Sequence, residues 1–179
     1  MDRASIETKL NDARSWSLLV FSSLGDAVLH TPLTPSEHDS ENLWTPLDHF
    51  AHLALIEEDF VAMARRHLAG HANPVTLLKD ESGATRSREE IMAYVHSRTE
   101  KFQQEHHDDS LSEVIALTGR ARAGTLALLG ELTDAQLAER LPGAPWGDGT
   151  VGGVLAANAD HARSHFGWVT DALREARQR

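Results

Sequence analysis

The sequence of 179 residues contains no cysteine. Disulfide bonds, thiolate metal ligands and a cysteine nucleophile are therefore excluded, and a metal ion would have to be bound by histidine or carboxylate side chains. Long apolar runs are also missing, since no stretch reaches the roughly 18 residues of a membrane-spanning helix, and the N-terminal segment, residues 1–5, lacks the layout of a signal peptide. We expect a single domain over residues 1–179 in a cytoplasmic protein without a membrane partner.

Positive charge is scarce. The chain has 17 Lys and Arg residues against 27 Asp and Glu residues, which gives a formal net charge of −10. Affinity for nucleic acid comes largely from clustered Lys and Arg side chains, so we expect no nucleic-acid partner. The acidic residues are scattered along the chain, which is typical of a solvated surface.

Patterns typical of β-strands are absent as well, because no run of β-branched or aromatic residues alternates with period two over the length of a strand. Apolar residues recur instead at steps of three and four, between helix caps. These signals predict helices over about 3–29, 46–68, 88–107, 111–131, 134–140 and 151–176, with a loop over 71–86. Residues 108–110 form a soft break, so the third and fourth helices are either separate or one kinked helix. We predict an all-α, antiparallel four-helix bundle with one longer connection and a short extra helix.

Two histidine clusters stand far apart in the chain. The first is the segment Asp48-His49-Phe50-Ala51-His52-Leu53, and the second is Asp160-His161-Ala162-Arg163-Ser164-His165. On a helix, His161 and His165 are one turn apart and point to the same side. Such a pair and one histidine of a neighbouring helix supply three nitrogen ligands and leave one position open. That arrangement is typical of catalytic divalent-metal sites.

Helical periodicity directs both clusters toward the interior of the bundle. On the last helix, His165 lies within the apolar face, and His161 lies at its edge beside Trp168. On the second helix, His49 lies near the centre of the inner face and His52 lies on its flank. Periodicity therefore leaves two candidates for the third ligand.

A structural role is the alternative, since a histidine on an apolar face is commonly a hydrogen-bonded core residue. A purely structural bundle with core histidines would then bind no metal ion. The remaining histidines have no partner at ligand spacing and are not expected to take part: His30, His38, His67, His71, His96, His106 and His107. The sequence also lacks H-E-x-x-H, paired E-x-x-H, glycine-rich nucleotide loops and G-x-S-x-G.

The segment from Trp44 to Leu53 resembles the W-[ST]-x-x-x-x-x-x-H-L segment of the DinB-like superfamily. Those proteins are metal-binding four-helix bundles, and they include thiol-dependent transferases and mycothiol-dependent maleylpyruvate isomerases. The segment from Thr150 to His165 is similar to their final helix, with its H-x-x-x-H. The resemblance covers about residues 5–175, and it is weakest in the linker at 71–86.

The resemblance implies that His52, His161 and His165 bind a divalent metal ion, most often zinc or nickel. It favours His52 over His49 because the family's ligand precedes a leucine, here Leu53. It further implies a small-molecule substrate and a transferase reaction that uses a low-molecular-weight thiol, or hydrolysis at the same metal. A chain without cysteine would receive such a thiol as a cosubstrate. A homodimer is expected from the family, and a non-catalytic, metal-binding stress-response protein is the alternative function.

No catalytic residue is assigned, but four residues are candidates for supporting the metal site or lining a substrate pocket: His49, Asn158, Asp59 and Trp168. Asn158 would either donate to a metal-bound group or satisfy a helix carbonyl or a buried water. Asp59 would either orient an imidazole or be solvated, as we expect of Glu57 and Glu58. Three tryptophans are expected near the mouth of the site or in packing contacts: Trp44, Trp146 and Trp168.

Overall fold

The computed structural model describes residues 1–36 and 39–178. Seven helices occur in this part of the chain: α1 (Arg3–Ser23), α2 (Asp26–Leu29), α3 (Pro46–Leu68), α4 (Arg88–His106), α5 (Leu111–Glu131), α6 (Asp134–Leu137) and α7 (Val151–Ala176). Two short strands, β1 (Thr34–Pro35) and β2 (Leu43–Trp44), pair in antiparallel orientation. The prediction of an all-α helical bundle is confirmed. None of these helices combines the length and apolarity that crossing a bilayer requires.

Most helix boundaries agree with the prediction, but α6 ends at Leu137 instead of near residue 140. The predicted first helix is divided, because Leu24 adopts an extended conformation and α2 starts after Gly25. Glycine is a poor helix former, and it weakens a continuous helix at this point. The third and fourth predicted helices are separate. Ser110 starts α5 in a capping box, in which its side chain accepts from the backbone N–H of Glu113.

Contacts at two levels along each helix pair give the directions of the helices. Lys9 pairs with Asp160, and Trp16 packs on Phe166 further along both helices, so α1 and α7 run parallel. Two ion pairs show in the same way that α3 and α5 run parallel: Glu57–Arg122 and Arg65–Glu131.

Helices of different pairs run antiparallel to each other, as the prediction of an antiparallel bundle requires. His49 contacts His165 and His52 contacts His161, so α3 and α7 run antiparallel. The longer connection lies between α3 and α5 and contains α4. Helix α4 packs against α3 and runs in the opposite direction. For this reason α5 can start at the same end as α3, and the predicted helix order is refined to a mixed one.

The first turn of α3 is fixed to the end of α4 by a buried carboxylate. Asp48 forms a capping box with Thr45, and its Oδ2 accepts from the Thr45 backbone N–H at 2.8 Å. Its Oδ1 lies 3.1 Å from Gln103 Nε2 and 3.0 Å from His107 Nδ1. The following residues of α3, which include His49 and His52, therefore start from an anchored turn.

The first turn of α7 is fixed by the preceding loop. Asp148 Oδ1 accepts from the hydroxyl of Thr150 at 2.6 Å and from its backbone N–H at 2.9 Å, and these bonds hold the pKa of Asp148 below its usual value. Gly147 has a φ of +59°, and a Cβ at this position would lie 2.4 Å from the carbonyl oxygen of Gly153. Only glycine fits there, so the loop can pack directly against the first turn of α7.

Candidate metal centre

Packing of α3 against α7 brings together His52, His161 and His165. Each offers one ring nitrogen, and these three atoms lie within 4.8 Å of one another. His52 and His165 are buried, with 1% and 0% of their surface exposed, and His161 is half-buried. Two nitrogen ligands of one zinc ion lie at most roughly 4 Å apart, because each bond measures about 2.0–2.1 Å. Small ring rotations would therefore bring the three nitrogens to a common ion, so the residues fit a divalent metal.

The two histidines of α7 point their Nε2 atoms at each other, 2.9 Å apart. Their ring centroids are 4.4 Å apart, as expected for a pair separated by one helical turn. The His52 ring completes the group, at 5.2 Å from His161 and 4.9 Å from His165 between centroids. The group of three thus contains the same histidines as the set that the family resemblance implies.

His49 lies next to this group and on the other side of the His165 ring. Its Nδ1 is 2.8 Å from His165 Nδ1, and its Nε2 is hydrogen-bonded to Thr34 Oγ1 of β1. His49 is fully buried. The Nδ1 atom of His165 faces His49, and its Nε2 atom faces His161. His49 therefore lies behind the group of three, on the side of the His165 ring opposite His161.

Two tryptophans enclose the histidines. Trp44 is fully buried, and its ring centroid lies 5.2 Å from His49 and 5.3 Å from His52. Trp168 is 41% exposed and lies 4.7 Å from His165. Trp146 packs on Phe60 at 4.9 Å instead, so only two of the three tryptophans considered from the sequence contact the cluster.

The carboxylates near the middle of α3 bind cations of neighbouring helices. Both oxygens of Asp59 accept from Arg98 of α4 at 2.7 Å, and this hydrogen bonding raises the pKa of Arg98 although burial opposes it. Glu58 is exposed. The expectation that Glu57 is solvated is wrong, because Glu57 is buried and pairs with Arg122 of α5 at 2.5 Å and 3.3 Å. The periodicity of α3 alone could not predict this ion pair, because Arg122 lies on a different helix.

Asn158 lines a small cavity of about 20 Å³ between α1, α3, α5 and α7, and shares it with Glu57, Arg122 and Arg14. Asn158 is 5% exposed, and neither of its amide atoms has a hydrogen-bond partner in the described part of the chain. The helix carbonyl considered from the sequence is therefore not its partner among the described residues. Burial lowers the pKa of Arg14, and the neighbouring charge of Arg122 lowers it further, against the effect of Glu57.

The histidines that were not expected to take part form other contacts or lie in loops. His107 contacts Asp48, His67 contacts Glu139, and His106 contacts Asp109. His38 lies outside the described residues. Sequence reasoning missed Thr34 as a partner of His49, because the Pro32–Pro35 segment carries only the signal of a helix end.

The fold and the cluster define a class: a helical bundle in which two helices bring three histidines close enough together that they could hold a metal ion. The family model of the DinB superfamily matches residues 9–169, and the chain belongs to this superfamily. The superfamily is metal-binding in general. Among curated proteins and among solved structures, nothing matches the chain.

Proposed function

We propose that His52, His161 and His165 bind a divalent metal ion, zinc or nickel, and that the protein is a transferase that uses a low-molecular-weight thiol, or a hydrolase at the same metal. The observation that carries this proposal is the convergence of three ring nitrogens within 4.8 Å between α3 and α7. A bound ion would supply Lewis-acid chemistry, by stabilising the thiolate form of a small thiol or by lowering the pKa of a water molecule.

The chemical type of the ligands supports an anionic cosubstrate. Three imidazoles bind as neutral ligands, so they leave the positive charge of a divalent ion undiminished. Asp48, Glu57 and Asp59 of α3 are engaged by donors on α4 and α5, so α3 directs imidazole rather than these carboxylates at the site. A thiolate is attracted to such a centre by Coulomb interaction, which is strong where the surroundings are apolar.

The surroundings of the cluster also suit a reaction with an external thiol. The chain has no cysteine, so the sulfur nucleophile would have to arrive with the cosubstrate. Trp44 and Trp168 contact the histidine rings, and the half-buried His161 leaves the cluster accessible to a small molecule. A cytoplasmic location, where small thiols are kept reduced, is part of the same proposal.

Metal binding is tested first, on protein purified without a histidine tag. We expect metal analysis to find zinc or nickel, and titration calorimetry to give one site per chain. His52→Ala, His161→Ala and His165→Ala are each expected to lose at least 100-fold in affinity, whereas His71→Ala, in an exposed loop position, is the matched control and retains it. Unchanged binding in the three variants would overturn the proposed site.

Turnover is tested second, on the loaded protein. Glutathione, mycothiol and coenzyme A are each offered with an alkylating electrophile, and thiol consumption is followed over time. We expect consumption that depends on the metal and is lost in His165→Ala. Metal binding without thiol consumption or hydrolysis would support the alternative, a non-catalytic metal-binding protein of the stress response.

A homodimer is also part of the proposal. Trp16 and Leu19 of α1 are 58% and 69% exposed, and Trp16 packs edge-on against Phe166 of α7 at 4.8 Å. Exposed apolar side chains of this size favour self-association. We expect light scattering to show a dimer, and Leu19→Glu to shift it toward the monomer.

A further inference from the structure

A continuous set of hydrogen bonds leads from β1 through α3 to α7. Thr34 Oγ1 is bonded to His49 Nε2, His49 Nδ1 lies 2.8 Å from His165 Nδ1, and His165 Nε2 lies 2.9 Å from His161 Nε2. Thr34 is 7% exposed, and both His49 and His165 are fully buried. The second ring nitrogen of His165 is thus occupied by a buried partner, which itself has a buried partner.

The positions of the protons along this set follow from the requirement of metal binding. A neutral imidazole carries one N–H, so a His165 that binds a metal ion through Nε2 carries its proton on Nδ1. That N–H then donates to Nδ1 of His49. His49 in turn carries its proton on Nε2 and donates it to the hydroxyl oxygen of Thr34. The reverse order would place a proton on His165 Nε2 and would block this ligand atom.

We infer that Thr34 and His49 are positioning residues that hold His165 in the tautomer protonated on Nδ1, with Nε2 directed at the metal ion. The inference rests on the proposed metal-binding function. Metal-binding histidines usually donate their other N–H to a carboxylate, a carbonyl or a water molecule, and loss of this partner costs about 10- to 100-fold in metal affinity. Here a neutral imidazole, supported by a hydroxyl group, takes that place.

The surrounding packing keeps the set in place. Thr34 is paired with Trp44 in the β1–β2 ladder, and the backbone N–H of Leu33 donates to the carbonyl oxygen of Trp44 at 2.9 Å. The Trp44 ring lies 5.2 Å from His49, and the Trp168 ring lies 6.2 Å from it on the α7 side. The β1–β2 pairing thus positions the Thr34 hydroxyl next to His49, and the two tryptophans restrict rotation of the His49 ring.

The first measurement is zinc affinity, determined by competition with a chromophoric chelator. We expect His49→Ala to lose 10- to 100-fold and Thr34→Val to lose about 3- to 10-fold, while Thr34→Ser, which keeps the hydroxyl, stays within 2-fold of the wild type. Thr125→Val is the matched control, because Thr125 is fully buried and its hydroxyl donates to the carbonyl of Ala121 on its own helix. Equal affinities in wild type, His49→Ala and Thr34→Val would overturn the inference.

The second measurement is the tautomer of His165, read from ring ¹⁵N chemical shifts of histidine-labelled protein with and without zinc. We expect the Nδ1–H form in the wild type and its loss in His49→Ala. His49→Gln is added in case His49→Ala does not fold, since its side-chain carbonyl can accept from His165 and should restore the Nδ1–H form. An Nε2–H form in the zinc-free wild type would overturn the inference. If the wild type binds neither zinc nor nickel, the proposed function fails, and the zinc-free spectrum still decides on the positioning role.

Discussion

Two buried polar groups that include residues of α3 differ in the chemical type of their partners on the neighbouring helices. Toward α5, Glu57 meets Arg122, and opposite charges are joined by hydrogen bonds of 2.5 Å and 3.3 Å. Toward α7, His52 meets His161 and His165, and three bases direct nitrogen atoms at one region. The first group is complementary within the chain and serves the stability of the bundle. The second brings like groups together, which suits the binding of a cation from outside.

The largest effect is expected from breaking the complementary group. Arg122→Met removes the cation that is hydrogen-bonded to the buried Glu57 carboxylate and leaves only the more distant charge of Arg14. We expect the free energy of unfolding to fall by about 3 kcal/mol, because a buried charge that loses its hydrogen-bonded partner is costly. Urea denaturation measures this change.

The double variant Glu57→Leu/Arg122→Met is the control for this prediction. Replacing a whole buried ion pair by apolar residues of similar volume is often neutral, so we expect the double variant to recover most of the loss. A change below about 1 kcal/mol in Arg122→Met would show that the pair is solvated, against its observed burial.

The histidine group is expected to respond to metal instead. Free zinc at 100 times its dissociation constant should raise the free energy of unfolding of the wild type by about 2.7 kcal/mol. His165→Ala should show no such rise, because one of the three ligands is missing. Arg122→Met should keep the zinc-dependent rise although it is less stable, and its loss there would contradict the separation of the two groups. Denaturation with and without zinc measures all three proteins.

A smaller effect is expected at Asp59, which lies two residues beyond Glu57 on α3. Asp59→Asn weakens the bidentate pair with Arg98, and since the two side chains are 22% and 39% exposed, we expect a loss of at most about 1 kcal/mol. Zinc affinity should stay within 2-fold of the wild type. A 10-fold loss of affinity, measured by chelator competition, would show that Asp59 orients a ligand after all.

The smallest effect is expected at the exposed cap of α5, which shows how little a solvent-exposed polar contact contributes relative to the two buried groups. Hydrogen bonds from Ser110, first its hydroxyl and then its backbone N–H, hold the pKa of Glu113 below its usual 4.5. Because the folded-state pKa is depressed, the stabilisation is present above about pH 4.5 and is lost as the pH falls through the folded-state pKa. Carboxyl NMR titration should find this lowered pKa, and Ser110→Ala should return it toward 4.5. An unchanged pKa in Ser110→Ala would contradict the assigned cause.

Much of the helical framework could be predicted, because caps and periodicity are local properties. The predicted helix starts at residues 46, 111 and 151 are the observed first residues of α3, α5 and α7, and each follows a Ser or Thr that caps the helix. The division of the first helix at Leu24 was missed, since its apolar periodicity continues past the break. The parallel direction of α1 and α7 was also missed, because it depends on how the longer connection returns the chain.

By itself, the sequence determined that this chain is helical, that it has no thiol of its own, and that His161 and His165 share one face of their helix. These properties depend on composition and on residues a few positions apart. The family resemblance already favoured His52 over His49 as the third member, and the proximity of the three rings agrees with it. Only the tertiary structure decided that His49 and Thr34 stand behind His165 and that Glu57 has a buried cation. The partners in the latter two groups include residues 116 and 65 positions apart, and contacts at such separations are set by the rotation and packing of whole helices.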